Sequence, residues 1–134
     1  MKLTERRSAP RFEVSLDGTA KTNEGHLSEI KVSNISSSGL QFSIAQHEVP
    51  QIFPNPDLNN SLDPIHLELK IELPESHSSG ATNLSIKVGI VYLKRVGIDL
   101  CVAGCRFEHF ESDALVILEN YIQHLNDPEI KLLE

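Results

Sequence analysis

The sequence lacks any long apolar segment. No stretch of its 134 residues approaches the ~20 consecutive apolar residues that a transmembrane helix needs. The N-terminus, MKLTERRSAPRFEV, also lacks the apolar run of about 7–15 residues found in secretory signals. We therefore expect no membrane insertion and a cytoplasmic localisation.

Net positive charge is absent as well. The chain holds 12 Lys and Arg residues against 19 Asp and Glu residues, a formal net charge of −7. Nucleic-acid polymers and anionic membranes repel such a chain. The charge is uneven, however, because residues 1–11 carry four basic side chains and one acidic side chain, or +3. The other eight basic and eighteen acidic side chains give −10, so we expect a small anion to be drawn to the N-terminal segment.

Cysteine is scarce, and the two thiols, Cys101 and Cys105, lie four residues apart. On one strand, at ~3.3 Å per residue, their Cα atoms would be about 13 Å apart, which exceeds disulfide reach. We predict two reduced thiols, buried or half-buried.

No signature of an enzyme or a metal site is present. The chain has no GxxxxGK[ST], GxGxxG or HExxH motif and no recognisable nucleophile motif. The segment 57–68 offers several oxygen ligands of a calcium loop, but Leu62 replaces the glycine that such a loop needs. Cys101, Cys105 and His109 are too widely spaced on a strand for structural zinc. We predict a protein that is not an enzyme and has no metal or cofactor.

Alternation of apolar and polar residues is the dominant pattern. It is clearest in residues 65–73, where His66, Glu68, Lys70 and Glu72 separate five apolar side chains. Such a segment buries one face and exposes the other, as an antiparallel strand of a barrel or sandwich does. The same alternation marks five more segments: Phe12–Leu16, Ile30–Val32, Leu40–Ile44, Leu84–Ile90 and Ile98–Val102. The predicted fold class is therefore mainly β, with about six strands.

The connections are predicted from glycine and proline. Gly97, after Val96, suits the hairpin turn between the last two strands. Residues 46–64 hold four of the seven prolines, which predicts a surface loop.

The periodicity changes from residue 112 onwards. The helical stripe consists of Leu115, Leu118, Ile122 and Leu125, and it is broadened by Ile117 and Tyr121. Ser112 is the predicted N-cap, and Asp127–Pro128 is the predicted end of the helix. We expect this stripe to pack against the open end of the sheet.

Two polar clusters remain. The first is Arg6-Arg7-Ser8-Ala9-Pro10-Arg11, directly before the first strand. The arginine fork donates paired hydrogen bonds to a phosphate or to guanine, and Pro10 restricts the segment. The second is Asn34-Ile35-Ser36-Ser37-Ser38-Gly39, which offers short polar side chains and a permissive glycine. Taken separately, each cluster also fits a solvated patch or a serine-rich turn.

Together, Arg7-x3-Arg11 followed by Asn34-x-Ser36-x2-Gly39 resembles the PilZ domain, a bacterial receptor module for cyclic di-GMP. The resemblance covers essentially the whole chain, and Gly104-Cys105-Arg106-Phe107 is similar to the end of the family's last strand. It implies a six-stranded antiparallel β-barrel followed by a C-terminal amphipathic α-helix.

The resemblance also implies a ligand site. Arg7 and Arg11 would grip guanine and phosphate, while Asn34, Ser36 and Gly39 would line the other side. Arg6, just before RxxxR, is associated in the family with an intercalated ligand dimer. Asn34 stands where many members carry Asp, which removes a charge near the phosphates.

We therefore expect a stand-alone cyclic di-GMP sensor in one domain of residues 1–134. Its parts would be a flexible arginine-rich segment (1–11), a barrel (12–109) and a helix (112–126). The signal would pass to an unidentified protein effector through a ligand-dependent surface change. The alternative is an adaptor that binds proteins and no nucleotide. An enzyme would need a catalytic constellation that the sequence does not display.

Overall fold

The computed structural model describes residues 10–53, 65–74 and 82–125. They form strands β1 (Phe12–Lys21), β2 (Leu27–Ile35), β3 (Gly39–Ala45), β4 (His66–Leu73), β5 (Thr82–Arg95) and β6 (Leu100–Phe110), and helices α1 (Val49–Ile52) and α2 (Ala114–Leu125). The strands close into a barrel in the order β1-β2-β3-β6-β5-β4, and every neighbouring pair is antiparallel. The predicted six-stranded antiparallel barrel with a C-terminal helix is confirmed.

The alternating pattern is visible directly in β4. Leu67, Leu69, Ile71 and Leu73 are buried in the barrel, while the polar residues between them are exposed or half-buried. Since every strand contributes alternate side chains to one shared interior, the barrel buries its apolar residues without a second layer. The described helices include none that is long and apolar enough to cross a membrane.

The hairpin between β5 and β6 turns where Val96 and Gly97 predict it. The last strand begins later than predicted, however, because Ile98 lies in the turn with 81% of its surface exposed. The strand then continues to Phe110 and includes both cysteines. Cys101 and Cys105 are buried and free, which confirms the prediction of reduced thiols.

The prediction of a surface loop over residues 46–64 is wrong in its first part. Residues 46–52 are helical, and Val49, Ile52 and Phe53 are buried in the core. Pro50 lies in the first turn of α1, where its missing N–H group costs no helical hydrogen bond. Residues 54–64 lie outside the described residues.

Helix α2 begins at Ala114, so the predicted N-cap at Ser112 is wrong. Ser112 has a φ of 53°, in the left-handed region, whereas an N-cap residue is extended. The helix contacts β5, and Ala114, Leu118 and Tyr121 are buried in the core, which confirms that the helix packs against the sheet. Its packing at an open end of the sheet stays a prediction. The buried stripe is rotated from the predicted one, since Leu115 is 42% exposed. Asp127–Pro128 lies outside the described residues.

Candidate functional site

The NxSxxG motif forms the tight connection between β2 and β3. The Ser36 side chain is buried, and its Oγ accepts hydrogen bonds from the backbone N–H groups of Ser38 (3.2 Å) and Gly39 (3.3 Å). The Ser36 N–H group donates to the carbonyl oxygen of Gly39 at 2.9 Å. Ser36 therefore holds the turn from inside, as serine does in ST turns.

Gly39 begins β3 opposite Arg106 of β6, where the two strands lie close together. A Cβ atom at Gly39 would overlap the carbonyl oxygen of Cys105 and lie 3.2 Å from the Cα atom of Arg106. The Phe107 N–H group also donates to the carbonyl oxygen of Ser38 at 3.0 Å. The glycine is thus required by the approach of a neighbouring strand, a constraint that the motif alone does not reveal.

Asn34 faces the outside of the barrel next to this turn. The register of β2 against β3 shifts between Val32 and Asn34, so that Val32 and Ile35 both point into the core. The Asn34 Nδ2 atom donates to Gln41 Oε1 at 2.6 Å, which orients the amide. Asn34 is half-buried, and among the described residues its Oδ1 atom makes no hydrogen bond.

Arg11 is exposed and directly precedes β1. Because Phe12 pairs with Ile35, the backbone of Arg11 lies at the barrel end where Ser36 begins the turn. The structure thus brings Arg11, Asn34, Ser36 and Gly39 to one end of the barrel. The other two predicted site residues, Arg6 and Arg7, lie outside the described residues.

Arg106 is a cation of this region that the sequence prediction missed. It is exposed on β6, where it pairs with Gly39 on one side and Gly89 on the other. The positive charge was visible in the sequence, but its position opposite the motif glycine depends on the pairing of β3 with β6. These strands are not consecutive, so local periodicity contains no signal for their register.

The Cys105 thiol does not provide a nucleophile to this region. Burial raises the pKa of the Cys105 thiol from 9.0 to about 12, which keeps it protonated at neutral pH. A thiol reacts as its thiolate, so Cys105 is inert. Within the three described ranges, no group of three or more His, Cys, Asp or Glu residues is arranged to hold a metal ion.

The family model of the PilZ domain matches residues 5–124. The chain belongs to the PilZ domain family. No curated protein sequence matches it.

Solved structures share the PilZ barrel at low sequence identity. The inhibitor of motility MotI/DgrA from Bacillus subtilis is 17% identical with a TM-score of 0.63, over 92% of this chain and 53% of that one. The MrkH–c-di-GMP complex from K. pneumoniae is 17% identical with a TM-score of 0.67, over 96% of this chain and 56% of that one.

A third similar structure is a domain by itself. The PilZ domain of YcgR from Escherichia coli, solved with c-di-GMP, is 10% identical with a TM-score of 0.60, over 90% of this chain and 92% of that one. This chain therefore spans about half the length of MotI/DgrA and MrkH and nearly all of the YcgR domain. At these sequence identities, the structural similarity establishes the fold alone.

Proposed function

We propose that this PilZ domain is a receptor for cyclic di-GMP, as the similar MrkH and YcgR structures contain that ligand. The observation that carries the proposal is the meeting of Arg11 with the outward-facing Asn34 and the Ser36–Gly39 turn at one end of the barrel. Both motifs of the resemblance contribute to this end. A receptor needs nothing further from the chain than a surface that recognises guanine and phosphate.

The proposed roles combine the geometry of the described residues with what the resemblance implies for Arg7. Arg11, and Arg7 before it, would form forked hydrogen bonds with phosphate or with guanine O6 and N7. Asn34 would accept a guanine N–H through Oδ1, since the hydrogen bond from its Nδ2 to Gln41 orients the amide. Ser36 would act indirectly, since its Oγ is used inside the turn. Gly39 would present its bare backbone to the ligand.

Charge supports a compact anion as the ligand. Residues 1–11 carry a net charge of +3, whereas the rest of the chain carries −10. The acidic remainder would repel a nucleic-acid polymer, while a small dianion could bind at the N-terminal segment alone. We include Arg6 in the site and propose that the ligand binds as an intercalated dimer. A stoichiometry of two ligands per chain would support this, and a stoichiometry of one would contradict it.

The proposed output is a change of the ligand-covered surface that a separate protein effector reads in the cytoplasm. The domain would comprise residues 1–134, with 1–11 as its ligand-binding segment. Motility or biofilm control fits the inhibitor of motility among the similar structures. The competing proposal is an adaptor that binds proteins without nucleotide, and ligand binding separates the two.

The test is a calorimetric titration of the wild-type chain with cyclic di-GMP, followed by Arg7→Ala and Arg11→Ala. We expect binding by the wild type and at least a tenfold weaker affinity in each variant, since a charge-assisted hydrogen bond contributes ~1.5–3 kcal/mol. Circular dichroism should show an unchanged fold. Arg95→Ala is the matched control, because the hydrogen bonds of Arg95 to described residues go to its own hairpin turn, at Gly97 and Ile98.

The outcomes separate the alternatives. If the wild-type chain gave no heat of binding with cyclic di-GMP, the adaptor would be favoured. Unchanged affinity in both arginine variants would place the ligand elsewhere on the chain. Conversion of cyclic di-GMP during a long incubation would show an enzyme instead of a receptor.

A further inference from the structure

A bulge in β2 places Asn34 opposite Gln41 of β3. Val32 pairs with Phe42 and Asn34 pairs with Gln41, so β2 contains one extra residue, Ser33, at this point. In a regular ladder, Asn34 would lie on the same face as Val32, which is fully buried. The extra residue turns Asn34 to the outer face instead, as bulges do where a side chain is re-aimed. The outward position of Asn34 therefore depends on this bulge.

Gln41 is attached to the bulge at two points. The Ser33 hydroxyl group donates to the backbone carbonyl oxygen of Gln41 at 3.2 Å, and Asn34 Nδ2 donates to the side-chain Oε1 atom at 2.6 Å. On its other side, Gln41 pairs with Gly104 of β6, which has no side chain. Because Nδ2 of the planar Asn34 amide is held towards Gln41, its Oδ1 atom is turned away from Gln41.

An amide pair of this kind has two arrangements. In the structure, Asn34 donates and Gln41 accepts. In the reverse arrangement, Gln41 Nε2 would donate to Asn34 Oδ1, and Asn34 would turn its Nδ2 hydrogens towards a ligand. A base at Asn34 meets an acceptor in the first arrangement and a donor in the second.

We propose that Gln41 is a positioning residue of the ligand site and that, by accepting from Asn34 Nδ2, it makes the site select guanine over adenine. The inference rests on the proposed function, in which Asn34 Oδ1 accepts a guanine N–H. Guanine carries N–H donors at N1 and at its C2 amino group, whereas adenine has a lone pair at N1 and no amino group at C2. An acceptor facing this edge matches guanine and repels adenine, and a donor removes that preference.

A purely structural role would not depend on the arrangement of the pair. A cross-strand polar pair that only stabilised the sheet would work equally well with either residue as the donor. Replacing Gln41 by another hydrogen-bonding side chain would then leave the preference for one base unchanged. The preference between two ligands is therefore the measurement that separates the two roles.

Two substitutions at position 41 fix the two arrangements. Gln41→Glu keeps an acceptor for Asn34 Nδ2, because a carboxylate accepts and does not donate, whereas Gln41→Lys can only donate to Asn34 Oδ1. Calorimetric titrations with cyclic di-GMP and cyclic di-AMP give the ratio of the two affinities, with the weaker ligand measured by displacement of the stronger. Both ligands carry two phosphates, so the effect of the added charge cancels in the ratio.

We expect Gln41→Glu to keep the wild-type preference for cyclic di-GMP and Gln41→Lys to reduce it about tenfold, the change that one hydrogen bond produces. Ser43→Ala is the matched control, because Ser43 lies two residues further along the same face of β3, where its Oγ donates to the backbone of Lys31. It should keep the wild-type ratio. Equal ratios in Gln41→Glu and Gln41→Lys would overturn the positioning role.

The Asn34 side-chain amide gives a second readout that needs no ligand. In NMR spectra of nitrogen-labelled protein, we expect the Nδ2 hydrogen that faces position 41 to be shifted downfield in the wild type and in Gln41→Glu, but not in Gln41→Lys. Absence of this shift in the wild type would overturn the inference and leave the receptor proposal standing. Absence of cyclic di-GMP binding by the wild type would defeat both. If Gln41→Lys unfolds, the amide spectrum of the wild type still decides the matter.

Discussion

Gly39 and the carbonyl oxygen of Cys105 are so close that a Cβ atom at position 39 would overlap that oxygen. The motif glycine is therefore part of the β3–β6 contact that closes the barrel. Gly39 was expected to allow close approach of a ligand, but it also allows close approach of strand β6. Loss of ligand binding in a Gly39 variant would consequently say little about direct contact with the ligand.

We expect Gly39→Ala to destabilise the fold by about 1–3 kcal/mol, the usual cost of forcing extra atoms into a packed contact. Urea denaturation followed by circular dichroism measures it. Gly97→Ala is the matched control, because the nearest atom to a Cβ there is Leu100 Cβ at 3.9 Å. Equal stability of the two variants would show that β3 and β6 can separate without cost.

Ser36→Ala tests the contribution of the serine side chain to the same turn. The substitution removes the Oγ atom that accepts the N–H groups of Ser38 and Gly39, and these groups then lose a partner in a part-buried position. We expect a loss of about 1–2 kcal/mol in the free energy of unfolding, measured in the same denaturation experiment.

Ser37→Ala is the control for that substitution, since Ser37 is exposed in the same turn. It should change stability by less than about 0.5 kcal/mol. A Ser36→Ala variant as stable as Ser37→Ala would mean that the backbone alone maintains the turn. Arg11→Ala should differ from both serine variants by weakening ligand binding at unchanged stability.

Features that depend on one chain segment could be predicted from the sequence. The alternation in residues 65–73 predicted β4 because one face of a barrel strand is buried and the other is exposed to solvent. The spacing of Asn34, Ser36 and Gly39 located the turn, since its hydrogen bonds connect residues no more than three positions apart. Burial of Val49 was missed because proline count says nothing about what a helical turn packs against.

Features that depend on non-consecutive strands could not be predicted in this way. Arg106 lies opposite Gly39 and Tyr92 opposite Gly104 only because β6 lies between β3 and β5. A bulge between Ile90 and Tyr92 sets the second of these pairs, and a shift of one residue would turn Tyr92 to the other face. Periodicity finds strands, but register between distant strands comes from packing of the whole barrel.

The buried Cys105 thiol should make stability depend on alkaline pH. Burial raises its pKa from 9.0 to about 12, so both the folded and the unfolded state are protonated below pH 9 and the contribution is fully present there. Between pH 9 and about pH 12 the unfolded state loses the proton while the folded state keeps it, and stability falls as the pH rises. Above about pH 12 the contribution is lost.

Cys105→Ala isolates this effect from the other groups that titrate at high pH, because they remain in both proteins. We expect the wild type to lose stability relative to the variant by up to about 1.4 kcal/mol per pH unit over this window, the limit for one proton. Urea denaturation between pH 8 and about pH 11 measures the difference. A constant difference across that range would show that the thiol ionises as readily in the folded barrel as in the unfolded chain, and rapid alkylation of the native protein at neutral pH would lead to the same conclusion.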